Sequence, residues 1–220
     1  MAENGNGKSR VVSKSALRRQ REREQRYQTI LAAAEKLFAS EGYHGASMER
    51  IAELAEVSVG TVYFYFKNKE DLLLHLLNEI AYTLRELVGS KFRQSDATME
   101  GFKNAGLSFF SEFCTRYPEK LAIIFRESVG QSPGVEASRK AFLDKFIGDV
   151  AGALNRLADT LGVSWRREHT AEVLAVSIVG MYERLAYQYL IWQDPSADLM
   201  DIADDALSFI EGGLKNLWGG

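Results

Sequence analysis

Proline, cysteine and histidine are all scarce in this chain. Three prolines, Pro118, Pro133 and Pro195, interrupt 220 residues, so long helices can run between them and each proline marks a boundary. The lone Cys114 excludes an internal disulfide and reads as an ordinary core thiol, not a redox centre. His44, His75 and His169 stand far apart, so neither a metal site nor a histidine-activated nucleophile is suggested. No glycine-rich phosphate loop is present either. The expectation is a protein that is not an enzyme, with no cofactor and no metal. Apolar runs are short as well: the longest, 173–182, stops at Glu183-Arg184, well below the roughly 20 residues a bilayer span needs. The N-terminal residues carry no apolar signal segment. A cytoplasmic protein without membrane association is expected.

What is present divides sharply by charge. Residues 1–26 hold eight basic and three acidic side chains, a net +5, within a chain whose total is −3, so the remainder carries −8. Nucleic acid meets such a chain arm first. The first residues, rich in Gly, Asn, Ser and Lys, read as a disordered tail. From Ala16 the spacing favours a frayed helix with Arg19, Arg23 and Arg26 on one side. A basic arm of this kind binds phosphates or a minor groove and sets salt dependence, not sequence choice.

The segment 47–72, SMERIAELAEVSVGTVYFYFKNKEDL, carries the most information. Ser47 is a capping residue, and Ile51, Leu54 and Ala55 then recur at helical spacing. Val57 is an apolar plug and Ser58 a second cap, so a new helix runs from about Val59 to Phe66. Two short helices joined by so few residues form a helix-turn-helix, whose second helix lies in the major groove. Gly60 and Thr61 leave the start of that helix unobstructed for a phosphate. Four consecutive aromatics follow: Val62 and Phe66 are the core positions, leaving Tyr63, Phe64 and Tyr65 nearer the surface. Lys67 and Lys69 come next, placing cations beside phenolic hydroxyls, a combination suited to phosphate contact.

This segment resembles the DNA-binding signature of the TetR/AcrR family of bacterial transcriptional regulators: a hydroxyl residue, Ile-Ala, Ala-Gly-Val-Ser, Gly-Thr-aliphatic-Tyr, aromatic-Tyr-Phe and Lys-Glu-x-Leu. The chain has Ser47, Ile51-Ala52, Ala55-Glu56-Val57-Ser58, Gly60-Thr61-Val62-Tyr63, Phe64-Tyr65-Phe66 and Lys69-Glu70-Asp71-Leu72. Upstream, Ile30, Leu31, Ala33, Ala34, Leu37 and Phe38 with Glu41-Gly42-Tyr43 are similar to the family's first helix and its glycine-aromatic turn. Glu56 departs from the pattern, standing where the family commonly has glycine, and implies a different bend. The resemblance implies DNA contacts from Val59, Gly60, Thr61, Tyr63, Phe64 and Tyr65 on the reading helix. It implies that Lys69 reaches a phosphate, and that Ser47 and Met48 approach the backbone from the other side.

After Leu72 the pattern is helical throughout, with helices expected at about 70–92, 98–116, 119–129, 135–160, 166–193 and 198–217. The fold class is all-α: a basic arm (1–22), a three-helix helix-turn-helix domain (23–70) and a helical second domain (71–220). The resemblance implies nine or ten helices, a ligand-responsive second domain and repression. On the last helix, Leu199, Ile202, Ala206, Phe209, Gly213 and Leu217 form a stripe. The helix before it is apolar on more than one face. A homodimer fits both, as does packing within one chain; family members dimerise through a four-helix bundle of these helices. Candidate effector residues are Phe109, Phe113, Ile124, Phe125, Phe142, Phe146, Met181, Tyr182 and Tyr187, which either line an apolar cavity or are plain core. Glu127, Glu183 and Arg184 sit in apolar stretches and need a partner, either one another or a ligand head group. The expected activity is binding of a palindromic DNA operator as a dimer, with release by a small hydrophobic effector. The alternative is a constitutive architectural DNA binder on the same scaffold.

Overall fold

A computed structural model describes residues 14–95, 97–192 and 198–219. Among these, nine α-helices follow one another: α1 (Lys14–Gly45), α2 (Met48–Leu54), α3 (Val59–Tyr65), α4 (Lys69–Gln94), α5 (Met99–Ser108), α6 (Pro118–Ala122), α7 (Pro133–Leu161), α8 (Thr170–Ala186) and α9 (Leu199–Leu217). Three of them continue without a break into a π-helical turn: α5 into Phe109–Cys114, α6 into Ile123–Glu127 and α8 into Tyr187–Ile191. The helices start where a side chain can satisfy a free amide. Ser47 accepts from Arg50, Ser58 from Thr61, Asn68 from Asp71, Thr98 from Gly101 and Ser132 from Val135. Pro118 and Pro133 sit at helix starts, where the missing amide costs nothing.

The first three helices close around Ile30, Ala34, Phe38, Ile51, Val62 and Phe66, all buried. Leu72, Leu73 and Leu76 of α4 complete that core, and farther along the same helix Ile80, Leu84 and Phe92 belong to the second domain. Helix α4 is thus shared by both. The expected arm boundary at residue 22 has no structural counterpart. Residues 14–22 are the first turns of α1, while residues 1–13 lie outside the described part. Helix α8 begins at 170, four residues later than its pattern suggests. The preceding Ser164–Trp165 forms a two-residue antiparallel ladder (β1) with Trp218–Gly219 (β2), and Arg166 N–H donates to Leu217 O at 3.1 Å. The C-terminus is thereby tied to the α7–α8 connection. On α9 the buried face is displaced from the expected stripe: of that stripe only Ala206 is buried, together with Ala203, Leu207, Ile210 and Leu214, whereas Phe209 is 75% exposed. The buried residues recur at three and four along the side facing α5 and α8; Phe209 points the other way.

The turn between α2 and α3 resolves the departure at Glu56. Glu56 has φ 54°, in the left-handed region. Val57 N–H donates to Ala52 O at 3.0 Å and Glu56 N–H to Glu53 O at 3.1 Å, the paired bonds of a Schellman helix end, whose left-handed position favours glycine. The turn keeps the geometry that glycine suits, and glutamate bears the strain. Relief of about 1–2 kcal/mol of left-handed strain outweighs the roughly 0.4–1 kcal/mol of added chain entropy that glycine brings to the unfolded state. Glu56→Gly is therefore expected to stabilise the protein by about 0.5–1 kcal/mol. Thermal unfolding followed by circular dichroism should show a midpoint raised by about 2 °C; a lowered midpoint contradicts this account of the turn.

Candidate DNA-reading surface and effector cavity

Helix α3 presents its aromatics unequally. Val62 and Phe66 are in the core, while Tyr63 is 50% and Phe64 68% exposed. Single large apolar side chains on a surface are ordinary, but two adjacent rings this exposed leave an aromatic edge open to solvent, polar-tipped at Tyr63. Ser58 caps the helix twice, accepting from Thr61 N–H at 3.1 Å and bonding to Thr61 Oγ1 at 2.8 Å. Gly60 is exposed and Val59 and Thr61 are half-buried, so the start of α3 is open. Helix α1 runs alongside: the Arg23 guanidinium lies 5.6 Å over the Phe64 ring, and Tyr65 Oη donates to Arg23 O at 3.2 Å. Tyr27 stacks on Phe66 at 5.3 Å, and its hydroxyl meets His75 Nδ1 at 3.0 Å. The basic end of α1 is thereby fixed beside the reading helix.

Two of the expected DNA contacts are occupied elsewhere. Met48 is 6% exposed and lies in the core of the head, because its place in the first turn of α2 faces α1; its side chain does not reach a phosphate. Lys69 Nζ donates to Tyr43 O at 2.6 Å and Ala46 O at 2.9 Å, and stands 4.5 Å over the Tyr43 ring. Burial holds its ammonium below the usual lysine range. A cation closing the carbonyl end of α1 is stabilised by that end's partial negative charge; in this structure Lys69 serves α1 and not a phosphate. Ser47 is half-buried as the α2 cap, and Lys67 is exposed, its N–H donating to Asp71 Oδ2 at 2.9 Å.

In the second domain, α4, α5, α7 and α8 enclose a cavity of about 280 Å³. Its deep wall is apolar and buried: Phe92, Phe102, Ala105, Phe109, Ile178 and Tyr182. Tyr182 lies 5.6 Å from Phe109 and 4.9 Å from Phe110 between ring centroids. Burial pushes its phenol above the ordinary tyrosine range, so the hydroxyl keeps its proton. The mouth is polar, formed by Arg85, Glu86 and Arg93 of α4 and Asp149 and Arg156 of α7.

Residues 30–76 match the family described as bacterial regulatory proteins, tetR family. That match covers the segment from the second half of α1 to the start of α4. Over 130 residues it is 30% identical to the HTH-type transcriptional repressor NicS of Pseudomonas putida, covering 59% of this chain and 60% of NicS. The chain thus spans less than two thirds of that relative. Its fold is that of the regulator FadR from Bacillus subtilis, solved with stearoyl-CoA (TM-score 0.75, 21% identity, 85% of this chain and 98% of FadR). It is also that of AibR, solved with isovaleryl coenzyme A and operator DNA (TM-score 0.65, 24% identity, 84% of this chain and 97% of AibR).

The expected effector residues are scattered. Phe109, Phe146 and Tyr182 line the 280 Å³ cavity. Phe113 is buried among Phe109 and Tyr117, and Met181 packs against the core. Ile124, Phe125 and Phe142 surround a separate void of about 10 Å³ with Arg139 and Glu183, too small for more than a water. Tyr187 meets Trp192 edge-on, and Arg184 bonds to Gln188 at 3.1 Å and covers the Trp192 ring, on the surface. Glu127 pairs with neither Glu183 nor Arg184. Its Oε2 accepts from Tyr43 N–H at 2.8 Å and its other oxygen meets Arg126. The arginines of the mouth escape sequence reading because at helical spacing they look like any solvated face. In hindsight the signal is a shared pattern: Arg85, Gly89 and Arg93 on α4, and Gly148, Gly152 and Arg156 on α7, each at intervals of four. Cys114 is buried with its thiol pushed up to about 12, so it stays protonated at neutral pH.

The assignment of Lys69 to α1 separates two roles. Lys69→Met keeps the stem and removes the ammonium, leaving carbonyls that lose about 1–3 kcal/mol of hydrogen bonding. Urea unfolding should show that loss, while the slope of log affinity against log salt for duplex DNA stays as in the wild type. A lower slope at unchanged stability returns Lys69 to the phosphates.

Proposed function

We propose that the chain is a dimeric DNA-binding regulator that holds a palindromic operator and releases it when a small, largely apolar molecule fills the cavity between α4, α5, α7 and α8. The observation that carries the DNA reading is the exposed Tyr63 and Phe64 edge on a capped helix, flanked by the basic end of α1. Ser58, Val59, Gly60, Thr61, Tyr63, Phe64, Tyr65 and Lys67 form the groove-facing set, with Ser47 behind them. Arg19, Arg23 and Arg26 share one side of α1, the side on which Arg23 meets Phe64. They extend the surface along the phosphates, by about 20 Å if all of 14–26 is counted at 1.5 Å per residue.

The dimer reading is supported by what one chain leaves uncovered. Val173 (63% exposed) and Val176 on α8, with Phe209 on α9, face solvent, and added side-chain atoms at Gly180 and Gly212 would meet nothing. An apolar face with room for close approach suits a two-fold helix bundle. Such symmetry sets the two reading helices about 34–36 Å apart, or one further helical turn. The cavity supports effector control over a constitutive binder, as do relatives crystallised with acyl-CoA ligands and, for AibR, operator DNA. A ligand shifts DNA affinity only through its differential affinity for the two arrangements of the heads.

Three measurements test this reading on an operator recovered by selection from a random duplex pool. Tyr63→Ala should weaken binding by about 1–3 kcal/mol in a mobility-shift titration; wild-type affinity removes Tyr63 from the interface. Replacing Arg19 and Arg23 together by Gln should lower the salt slope by about two per protomer, leaving the selected sequence unchanged. Phe209→Glu should convert the dimer into monomer in sedimentation velocity and weaken operator binding with it; a persistent dimer places the interface elsewhere.

A further inference from the structure

The mouth of the cavity is spanned by an ion pair between two helices. Arg85 of α4 donates through Nε to Asp149 Oδ2 of α7 at 2.6 Å. Arg93, about two helical turns farther along α4, is held by Glu86 at 3.1 Å. The Arg156 guanidinium stands 5.2 Å over the Phe92 ring, at the border of mouth and apolar wall, and no carboxylate among the described residues pairs with it. Three guanidiniums therefore face two carboxylates at one opening. Around them Gly148 is bare, while the Arg93 and Arg156 side chains lie across Gly89 and Gly152, so the opening is a slot with charged rims. Guanidinium planes bind phosphate and carboxylate bidentately. An anionic group arriving at this slot meets Arg156 first and can then replace Asp149 on Arg85, and the released Asp149, already half exposed, turns to water.

The interior sets the rest of the ligand. A cavity of about 150 Å³ lined by apolar side chains takes benzene, six carbons. At that density the 280 Å³ here takes about ten or eleven carbons. The deep end is bounded by Phe109 and Tyr182, and Tyr182 is seated against α5 where Gly106 has no side chain: a methyl there would stand 2.5 Å from its hydroxyl. Both rings are stacked and buried, so the wall is rigid on the side away from the mouth.

We propose that the Arg85–Asp149 pair is a latch opened by the phosphate-bearing head of an acyl ligand, and that the cavity behind it admits an acyl chain of up to about ten carbons and excludes much longer ones. The inference rests on reading this cavity as the effector site. It gives that site a ligand class, a short or medium acyl chain on a polyanionic head, and gives Arg85, Asp149 and Arg156 the selecting roles.

The test is titration calorimetry on the full chain, at submicellar concentrations, with octanoyl-CoA, octyl phosphate, octanoate, octanol and stearoyl-CoA as probes. Octanoyl-CoA should bind at least tenfold more tightly than octanoate and than stearoyl-CoA, and each methylene added from C4 to C8 should gain roughly fourfold. Octyl phosphate separates the two sources of the head: affinity equal to octanoyl-CoA points to a simple phosphate, weaker affinity to the nucleotide thioester. Asp149→Asn leaves Arg85 free and should tighten octanoyl-CoA or octyl phosphate severalfold with octanol unchanged, while Arg156→Gln should weaken the same probes about tenfold. Stearoyl-CoA binding as tightly as octanoyl-CoA overturns the length limit. An unchanged or weaker Asp149→Asn overturns the latch, and so does failure of every phosphate-bearing probe to bind. Binding of the probes without any change in operator affinity leaves the latch standing and refutes the regulatory reading instead; absence of operator binding by the free protein refutes the DNA reading alone.

Discussion

One short stretch of backbone, the end of α1, is held from both sides, and the relation between the two domains depends on it. Gly42 takes φ 79° and breaks the helical path. The amide of Tyr43, freed by that break, is taken by the Glu127 carboxylate from the π-helical turn after α6, and the carbonyls of Tyr43 and Ala46 are taken by Lys69 from the start of α4. Each partner comes from a different element, and each satisfies a group that would otherwise be stranded in a partly buried place. Glycine is required at 42 because of its positive φ, and a side chain there would also crowd Glu127 Oε2 at 3.2 Å. Nearby, Arg126 donates to Ala39 O at 3.0 Å and Lys120 pairs with Glu35. Helix α6 and its turn are thereby fastened along α1 by three polar contacts in addition to apolar packing.

This fastening constrains how the two ends of the molecule can influence each other. The head touches the second domain through α4, which it shares, and through α6. Helix α4 carries Arg85, Phe92 and Arg93 at the cavity and Leu72, Leu73 and Leu76 in the core of the head. A shift of α4 against α7 at the cavity mouth is a shift of a rigid helix whose other end is the floor of the head. The Glu127 and Lys69 contacts then decide whether α1 follows α4 or α6, because Lys69 travels with one and Glu127 with the other. Packed elements of this kind switch between discrete arrangements and do not deform smoothly.

The parts of this structure that sequence exposes are those decided within a few residues. Ser47 and Ser58 announce two helix starts because a cap acts on amides three residues away, and Val62 and Phe66 announce the core because period and size suffice. Glu56 shows where local reading reaches its limit: the turn demands a left-handed residue whatever its identity, so a glutamate adopts it at a cost instead of bending the turn differently. Met48 and Lys69 were legible as types but not as roles. Both contacts are with α1, more than twenty residues away for Lys69, and nothing in their own neighbourhood records that. The cavity is the extreme case. Phe109 and Tyr182 are 73 positions apart, and the guanidiniums at its mouth are ordinary exposed arginines until α4 and α7 are laid side by side. Glu127, too, reads as a charge in need of a cation or ligand; it has its cation in the adjacent Arg126, but its second partner is the Tyr43 backbone amide, which a charge pattern cannot show.

Charge placement, not net charge, reconciles an acidic chain with the polyanionic partner proposed for it. The −8 beyond residue 26 would oppose DNA if it acted at a distance, yet at physiological salt fields decay over about 8 Å. Most of the acidic body lies farther than that from the reading helix, since α4 alone carries the chain about 39 Å away from it over its 26 residues. What a phosphate meets at short range is the basic end of α1, fixed by Arg23 on Phe64 and by Tyr65 on the Arg23 carbonyl. The acidic remainder then acts as an orienting term: it leaves the approach with the head forward as the one in which attraction is unscreened and repulsion is not. The same short range applies at the cavity mouth, where three arginines can receive an anion on a domain whose overall sign is negative.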